Sequence, residues 1–164
     1  KMKLFSVWYH AKALIRKIFL KIIYTKKLTI GSKTTWRRNF SILIEKNAHI
    51  EIGKNCFFNN DCSLVAMSSI KIGEGTLFGE NVKIYDHNHR FNKFSTPIKN
   101  QGYSVNSVEI GNHCWIGSNV VILKGSKIGN NCVIGAGCVI SSNIKSGMII
   151  KPSFKYQEIK IRNE

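Results

Sequence analysis

From Ile110 onward a large aliphatic side chain recurs at every sixth position: Ile110, Ile116, Ile122, Ile128, Ile134 and Ile140. The blocks read IGNHCW, IGSNVV, ILKGSK, IGNNCV, IGAGCV and ISSNIK. A fixed period of this kind marks a solenoid. Each hexapeptide supplies one short strand and one corner. Three of them close a coil of 18 residues, and coils stack at the parallel-strand spacing of about 4.8 Å. The first position points a large side chain inward. The fifth admits a small residue near a corner, and Gly after Ile, in four of the six blocks, suits the tight bend.

The period extends upstream with slips. Ile52, Phe58 and Leu64 are in phase, two extra residues (Ile70 and Lys71) intervene, and Ile72, Phe78 and Ile84 follow. Ile30, Trp36 and Ile42 suggest an imperfect first coil. Starts at Ile30, Ile52, Ile72, Ile110 and Ile128 predict an all-β, parallel β-helix of about five coils. Between Ile84 and Ile110 the phase is lost. A polar excursion from Arg90 to Val108, holding Pro97 and Gly102, is predicted to protrude as a loop, and long loops on regular scaffolds commonly carry function. The chain divides into residues 1–28, a β-helix at 29–145 with its loop at 90–108, and a tail at 146–164.

A different period governs the N-terminal segment. Leu4, Trp8, Ala11, Ile15, Ile18 and Ile22 recur at helical spacing, with Lys3, Lys17 and Lys21 on one side and Lys12 and Arg16 on the other. This predicts a basic amphipathic helix, a type that lies in membrane interfaces. The same helix could instead cap the open end of the coil or pack against its copies.

Charge sharpens that choice. The formal charge is +16, and eleven Lys and Arg residues precede the first acid, Glu45. Such a block reads as a contact with phosphate, membrane or nucleic acid, or as a solvated basic face. No nucleic-acid recognition motif accompanies it, so no nucleic-acid partner is expected. No run approaches the ~20 apolar residues of a membrane span, and Lys12, Arg16 and Lys17 follow the short apolar run from Leu4, unlike a secretory signal. The expectation is a cytoplasmic protein with peripheral contact, through residues 1–27, at the inner face of the membrane.

All five cysteines, Cys56, Cys62, Cys114, Cys132 and Cys138, occupy the fifth position of a hexapeptide. Their spacing follows the coil, so they read as small inward thiols and not as a disulfide framework or zinc site. The stretch IYDHNHRF, Ile84 to Phe91, holds two of the five histidines just where the coil is left. By itself it could be a metal site, a general base or an inert polar loop.

The repeat resembles that of the hexapeptide-repeat acyltransferases, whose fold is the left-handed parallel β-helix. Within them it is most similar to the galactoside, maltose and streptogramin acetyltransferases and to the O-acetyltransferases of bacterial capsules and O-antigens. The resemblance covers roughly Ile30 to Lys145. It implies acetyl-CoA as donor, no metal, a homotrimer with sites between subunits, and direct transfer without an acyl-enzyme.

Residue by residue, the family's catalytic histidine falls on His89, seventeen residues after Ile72, and Asn88-His89-Arg90 matches the Asn-His-Arg of the streptogramin enzymes. The acceptor-binding asparagine falls on Asn59, with Asp61 at a second polar position of that motif. Asp86 and His87 are further expected acceptor contacts. The block CWIGSN places Trp115 and Ser118 at the thioester end of the cofactor, with the Ser118 backbone as oxyanion donor. Ala136 would line the pantetheine groove, with Ser141 and Ser142 further along. Ser142 stands where the family commonly has Lys, and the tail departs from the usual turn. Lys145, Lys151 and Lys155 are the alternatives for the CoA phosphates, and Lys155 is the one assigned.

Imidazole suits the base because its pKa lies near neutrality. The expected acceptor is a sugar hydroxyl in a surface polysaccharide or its lipid-linked precursor. N-acetylation of an amino sugar nucleotide is the alternative within the family. Outside it stand a γ-type carbonic anhydrase, which needs three zinc histidines, and a non-catalytic β-helix module.

Overall fold

A computed structural model describes the backbone of residues 2–153 and the side chains from residue 12 onward. Leu4, Trp8, Ala11 and Lys3 therefore have no described side chain, and Lys155 lies outside the described residues.

The helix α1 (Met2–Tyr24) leads into a β-helix with three flat faces. The first and second faces each hold six strands and the third holds five. Every pairing along the faces is parallel. The fold is the left-handed parallel β-helix, and it has five complete coils and a sixth with two sides. The sixth coil, through Asn143–Ile144 and Ile149–Ile150, exceeds the count from sequence because Ile144 follows Ile140 by four residues and so falls out of the six-residue phase.

The periodic residues form inward ladders. Ile30, Ile52, Ile72, Ile110, Ile128 and Ile144 pair in sequence on the first face. Trp36, Phe58, Phe78, Ile116, Ile134 and Ile150 do so on the second. Burying each such side chain is worth roughly 1.5–3 kcal/mol. Phe40 fills a fifth position usually kept small, and it stacks between Trp36 and Phe58 at centroid distances of 4.9 and 4.7 Å. Ile70 and Lys71 do not break the coil. They lengthen the strand Ser69–Ile72 to four residues, beside His49–Ile52 of equal length.

The cysteines are free and buried. The Cys56, Cys62 and Cys114 thiols each reach a carbonyl of the next coil, at Gly73, Gly79 and Gly129, all at 3.1 Å. The predicted helix forms, but the described residues of its predicted stripe do not face the coil. Ala13 and Leu20 are buried, whereas Ile15, Ile18 and Ile22 are exposed.

Candidate active site

The corner between the third and first faces is where the chain departs from the coil. After the third-face strand Lys83–Tyr85, the segment His87–His89 pairs antiparallel with Tyr103–Val105 to form an arm. The arm is closed at its base by Asn106 N donating to Asp86 O at 2.8 Å. It begins at His87, three residues before the predicted loop.

Asp86 anchors this departure. Its side chain is fully buried, and its carboxylate accepts from the Met67 and Ser68 amides at 2.8 and 2.6 Å and from His87 Nδ1 at 3.1 Å. The expectation that Asp86 meets an acceptor does not fit this burial: the carboxylate holds the preceding coil's corner and the root of the arm. His87 is 14% exposed and packs edge-on between the rings of Tyr85 and Tyr103. With Nδ1 donating to Asp86, the neutral form of the ring presents Nε2 as an acceptor. His89, one pleat further out, is exposed. Among the described residues its ring meets only Tyr103, at 4.5 Å between centroids.

The other expected residues stand elsewhere. Asn59, Asp61, Ser118 and Ala136 stack at the corner between the second and third faces, and Trp115 opens the second-face strand leading to it. Trp115 is 58% exposed. Ser141 and Ser142 are exposed at the third-to-first corner, two coils beyond the arm. One chain therefore does not bring His89 together with Trp115 and Ser118.

The second-to-third corner is a polar ladder. Asn39, Asp61, Asn81 and Asn119 take left-handed φ of 56–64°, a conformation Asn and Asp tolerate, and Gly137 takes 76°. Asp61 accepts from Asn39 Nδ2 at 2.8 Å, and Asn59 Oδ1 accepts from Arg37 and from Asn60 N. Both residues thus hold the turn. In the neighbouring column, Arg38 N is met by Asn60 Oδ1 and Glu80 N by Ser118 Oγ. The next rung is Ala136, which has no side-chain oxygen. Among the described residues the Ser118 N–H has no acceptor. Sequence reading placed Ala136 here as a groove wall and missed this consequence.

His113 lies at the third corner, between the first and second faces, at φ 55° and over Gly75. Its Nε2 is 3.7 Å from Glu74 Oε1, and it does not join the arm histidines. Among the described residues no group of three His, Cys, Asp or Glu side chains could hold a metal ion.

Residues 107–142 match the bacterial transferase hexapeptide (six repeats) family. The putative lipopolysaccharide biosynthesis O-acetyl transferase WbbJ of Escherichia coli K12 is 33% identical over 79 residues, 44% of this chain and 40% of that protein. A maltose O-acetyltransferase of Clostridium difficile 630 is 28% identical with a TM-score of 0.63, over 79% of this chain and 67% of that one. A hexapeptide-repeat acetyltransferase of Vibrio cholerae, solved with acetyl coenzyme A, shares the fold at 24% identity and a TM-score of 0.65, over 74% and 64% of the two chains. The chain spans about two fifths of the length of several curated relatives it matches.

Proposed function

Starting from a chain that resembles the hexapeptide-repeat acetyltransferases in repeat and in fold, we propose that it transfers an acetyl group from acetyl-CoA to a sugar hydroxyl. The acceptor is a surface polysaccharide or its lipid-linked precursor. His89 takes the hydroxyl proton as the oxygen attacks the thioester carbonyl. The Ser118 N–H receives the tetrahedral oxyanion. The C–S bond then breaks, and the imidazolium returns its proton to the CoA thiolate. Trp115 flanks the thioester. Ala136, Ser141, Ser142 and Lys155 follow the rest of the cofactor. Asn59, Asp61 and His87 orient the acceptor.

The observation that carries this reading is the Ser118 N–H, which has no acceptor among the described residues, whereas the Arg38, Asn60 and Glu80 amides earlier in the same column are met. A catalyst of acyl transfer needs such a donor held in place beforehand, and a mere scaffold does not. The donor and His89 sit on different corners, so a complete site takes one corner from each of two copies. This supports a homotrimer. The names of the Escherichia coli and Clostridium difficile relatives support O-acetylation.

A second assignment of the base is favoured by the buried Asp86–His87 pair, because a carboxylate behind Nδ1 is the arrangement that orients a basic Nε2. His89 keeps preference because its imidazole is open to a partner subunit, whereas His87 is packed at the arm's root. Thiol release from acetyl-CoA, assayed across sugars, nucleotide sugars and polysaccharides, tests the function. Release that depends on a neutral sugar hydroxyl supports it. Release only with amino sugar nucleotides would favour N-acetylation, and no acceptor-dependent release would overturn both.

A further inference from the structure

Over its described side chains, residues 12–24, helix α1 uses one side to grip the first coil and leaves the opposite side bare. Ala13 and Leu20 are buried on the packed side, where Lys17 Nζ donates to Gly31 O and Tyr24 OH to Ile42 O. At 100° per residue, Ile15, Ile18 and Ile22 lie on the far side. They are 70%, 56% and 68% exposed, and their neighbours Leu14, Phe19 and Ile23 are all more than half exposed. An apolar ridge of this size on a surface helix marks a contact.

The cations are placed around the ridge. Arg16 and Lys21 are exposed on its two flanks. On the Arg16 side a groove of about 590 Å³ runs between α1 and the first coil, with Ile15, Phe19 and Trp36 as apolar lining and Arg16, Arg37 and Arg38 as its guanidinium groups. No acid occurs before Glu45. A second copy laid on this ridge would bring the same cations and no counter-charge. An anionic bilayer brings hydrocarbon for the ridge and phosphate for the flanks.

We infer that α1 seats the chain on an anionic membrane surface, with Ile15, Ile18 and Ile22 below the headgroups and the guanidinium-lined groove holding lipid phosphate. Guanidinium pairs with phosphate oxygens in a bidentate fork, which Arg16 and Arg38 offer while Arg37 also reaches Asn59 Oδ1. The helix lies on the bilayer: no described helix is long and apolar enough to cross one. The inference stands apart from the acetyl-transfer reading, because its readout is binding.

The test is co-sedimentation of the full chain with phosphatidylglycerol-containing vesicles and with pure phosphatidylcholine vesicles, at low and high salt. The expected result is binding to the anionic vesicles at low salt and release at high salt. The triple variant Ile15→Gln, Ile18→Gln, Ile22→Gln should lose at least about tenfold in vesicle affinity. Its Tm and oligomeric state should be unchanged, since these side chains are more than half exposed. Arg16→Gln with Lys21→Gln should weaken binding and flatten its salt dependence. Equal binding to both vesicle types, or undiminished binding by the triple variant, would overturn the inference. So would absence of vesicle binding together with an assembly state that the triple variant reduces, which would assign the ridge to a second copy.

Discussion

Ala136 lies one coil beyond Ser118 in the same corner column and offers its N–H no side-chain oxygen. At two other rungs the corresponding amide is met by a serine: Glu80 N by Ser118 Oγ at 3.1 Å and, at the first-to-second corner, Asn130 N by Ser146 Oγ at 2.9 Å. Serine is therefore sterically acceptable at such a rung. Ala136→Ser should close the ladder and occupy the proposed oxyanion donor. Losing one such donor costs about 10²–10³-fold in kcat, so a drop of that order is expected, with Tm unchanged or raised. Full activity in a variant whose Ser118 amide becomes protected from hydrogen exchange would remove Ser118 from the chemistry.

The two arm histidines should separate by what each substitution breaks. His89→Ala is expected to lower kcat by about 10²–10⁴-fold, the usual worth of a general base, with Tm unchanged. Asp86→Ala should act on stability, because it leaves the half-buried Met67 and Ser68 amides without their acceptor, at about 1–3 kcal/mol. His87→Ala should fall between them. Steady-state kinetics and thermal melts on the three variants decide the assignment. If His87→Ala abolishes turnover at unchanged Tm while His89→Ala remains active, the base is His87.

Much of this was legible in the chain and some was not, for physical reasons. The inward ladders were legible because one large side chain per hexapeptide must face the core, as Ile110 to Ile140 do. The sixth coil was hidden because its first-face residue, Ile144, follows Ile140 by four residues and breaks the six-residue phase. The arm's start at His87 left no periodic mark, since it depends on the long-range pairing of His87 with Val105. Asp86 read as an acceptor contact, and only its bonds to the previous coil's corner revealed a buried anchor. Ala136 looked like any small residue of IGAGCV. Its meaning appears once the hexapeptides are stacked and the column Arg38, Asn60, Glu80, Ser118, Ala136 is read downward. The apolar stripe of α1 was legible as a period, but which side would be buried depended on the first coil.

The corner thiols make a prediction about pH. Burial pushes the Cys56, Cys62 and Cys114 thiols above the ordinary thiol range. A group whose pKa is raised on folding contributes stability that is present below its unfolded pKa and lost as pH rises through the folded value. Stability should therefore decline from about pH 8.5, the ordinary thiol pKa, upward, and native alkylation by iodoacetamide should be slow at neutral pH. The triple variant Cys56→Ala, Cys62→Ala, Cys114→Ala should flatten the alkaline limb of a Tm-against-pH curve. An alkaline limb identical to that of the parent would show that the thiols do not govern it.

If the site is shared between copies, two inactive chains should repair one another. His89 is at the third-to-first corner and Ser118 at the second-to-third corner. A chain carrying His89→Ala keeps a sound donor corner, and a chain carrying Ala136→Ser keeps a sound base. In a cyclic trimer each site pairs one chain's base with its neighbour's donor. In randomly mixed trimers about one quarter of the sites would then join two sound corners. Co-expression of the two variants at equal levels should restore about a quarter of the parental kcat, although each alone is nearly inactive. Sedimentation should give a trimer for parent, variants and mixture alike. Trimers that stay inactive on mixing would place base and donor in the same chain and end the shared-site reading. A monomer with full turnover would end it as well, because a lone chain keeps His89 and Ser118 at separate corners.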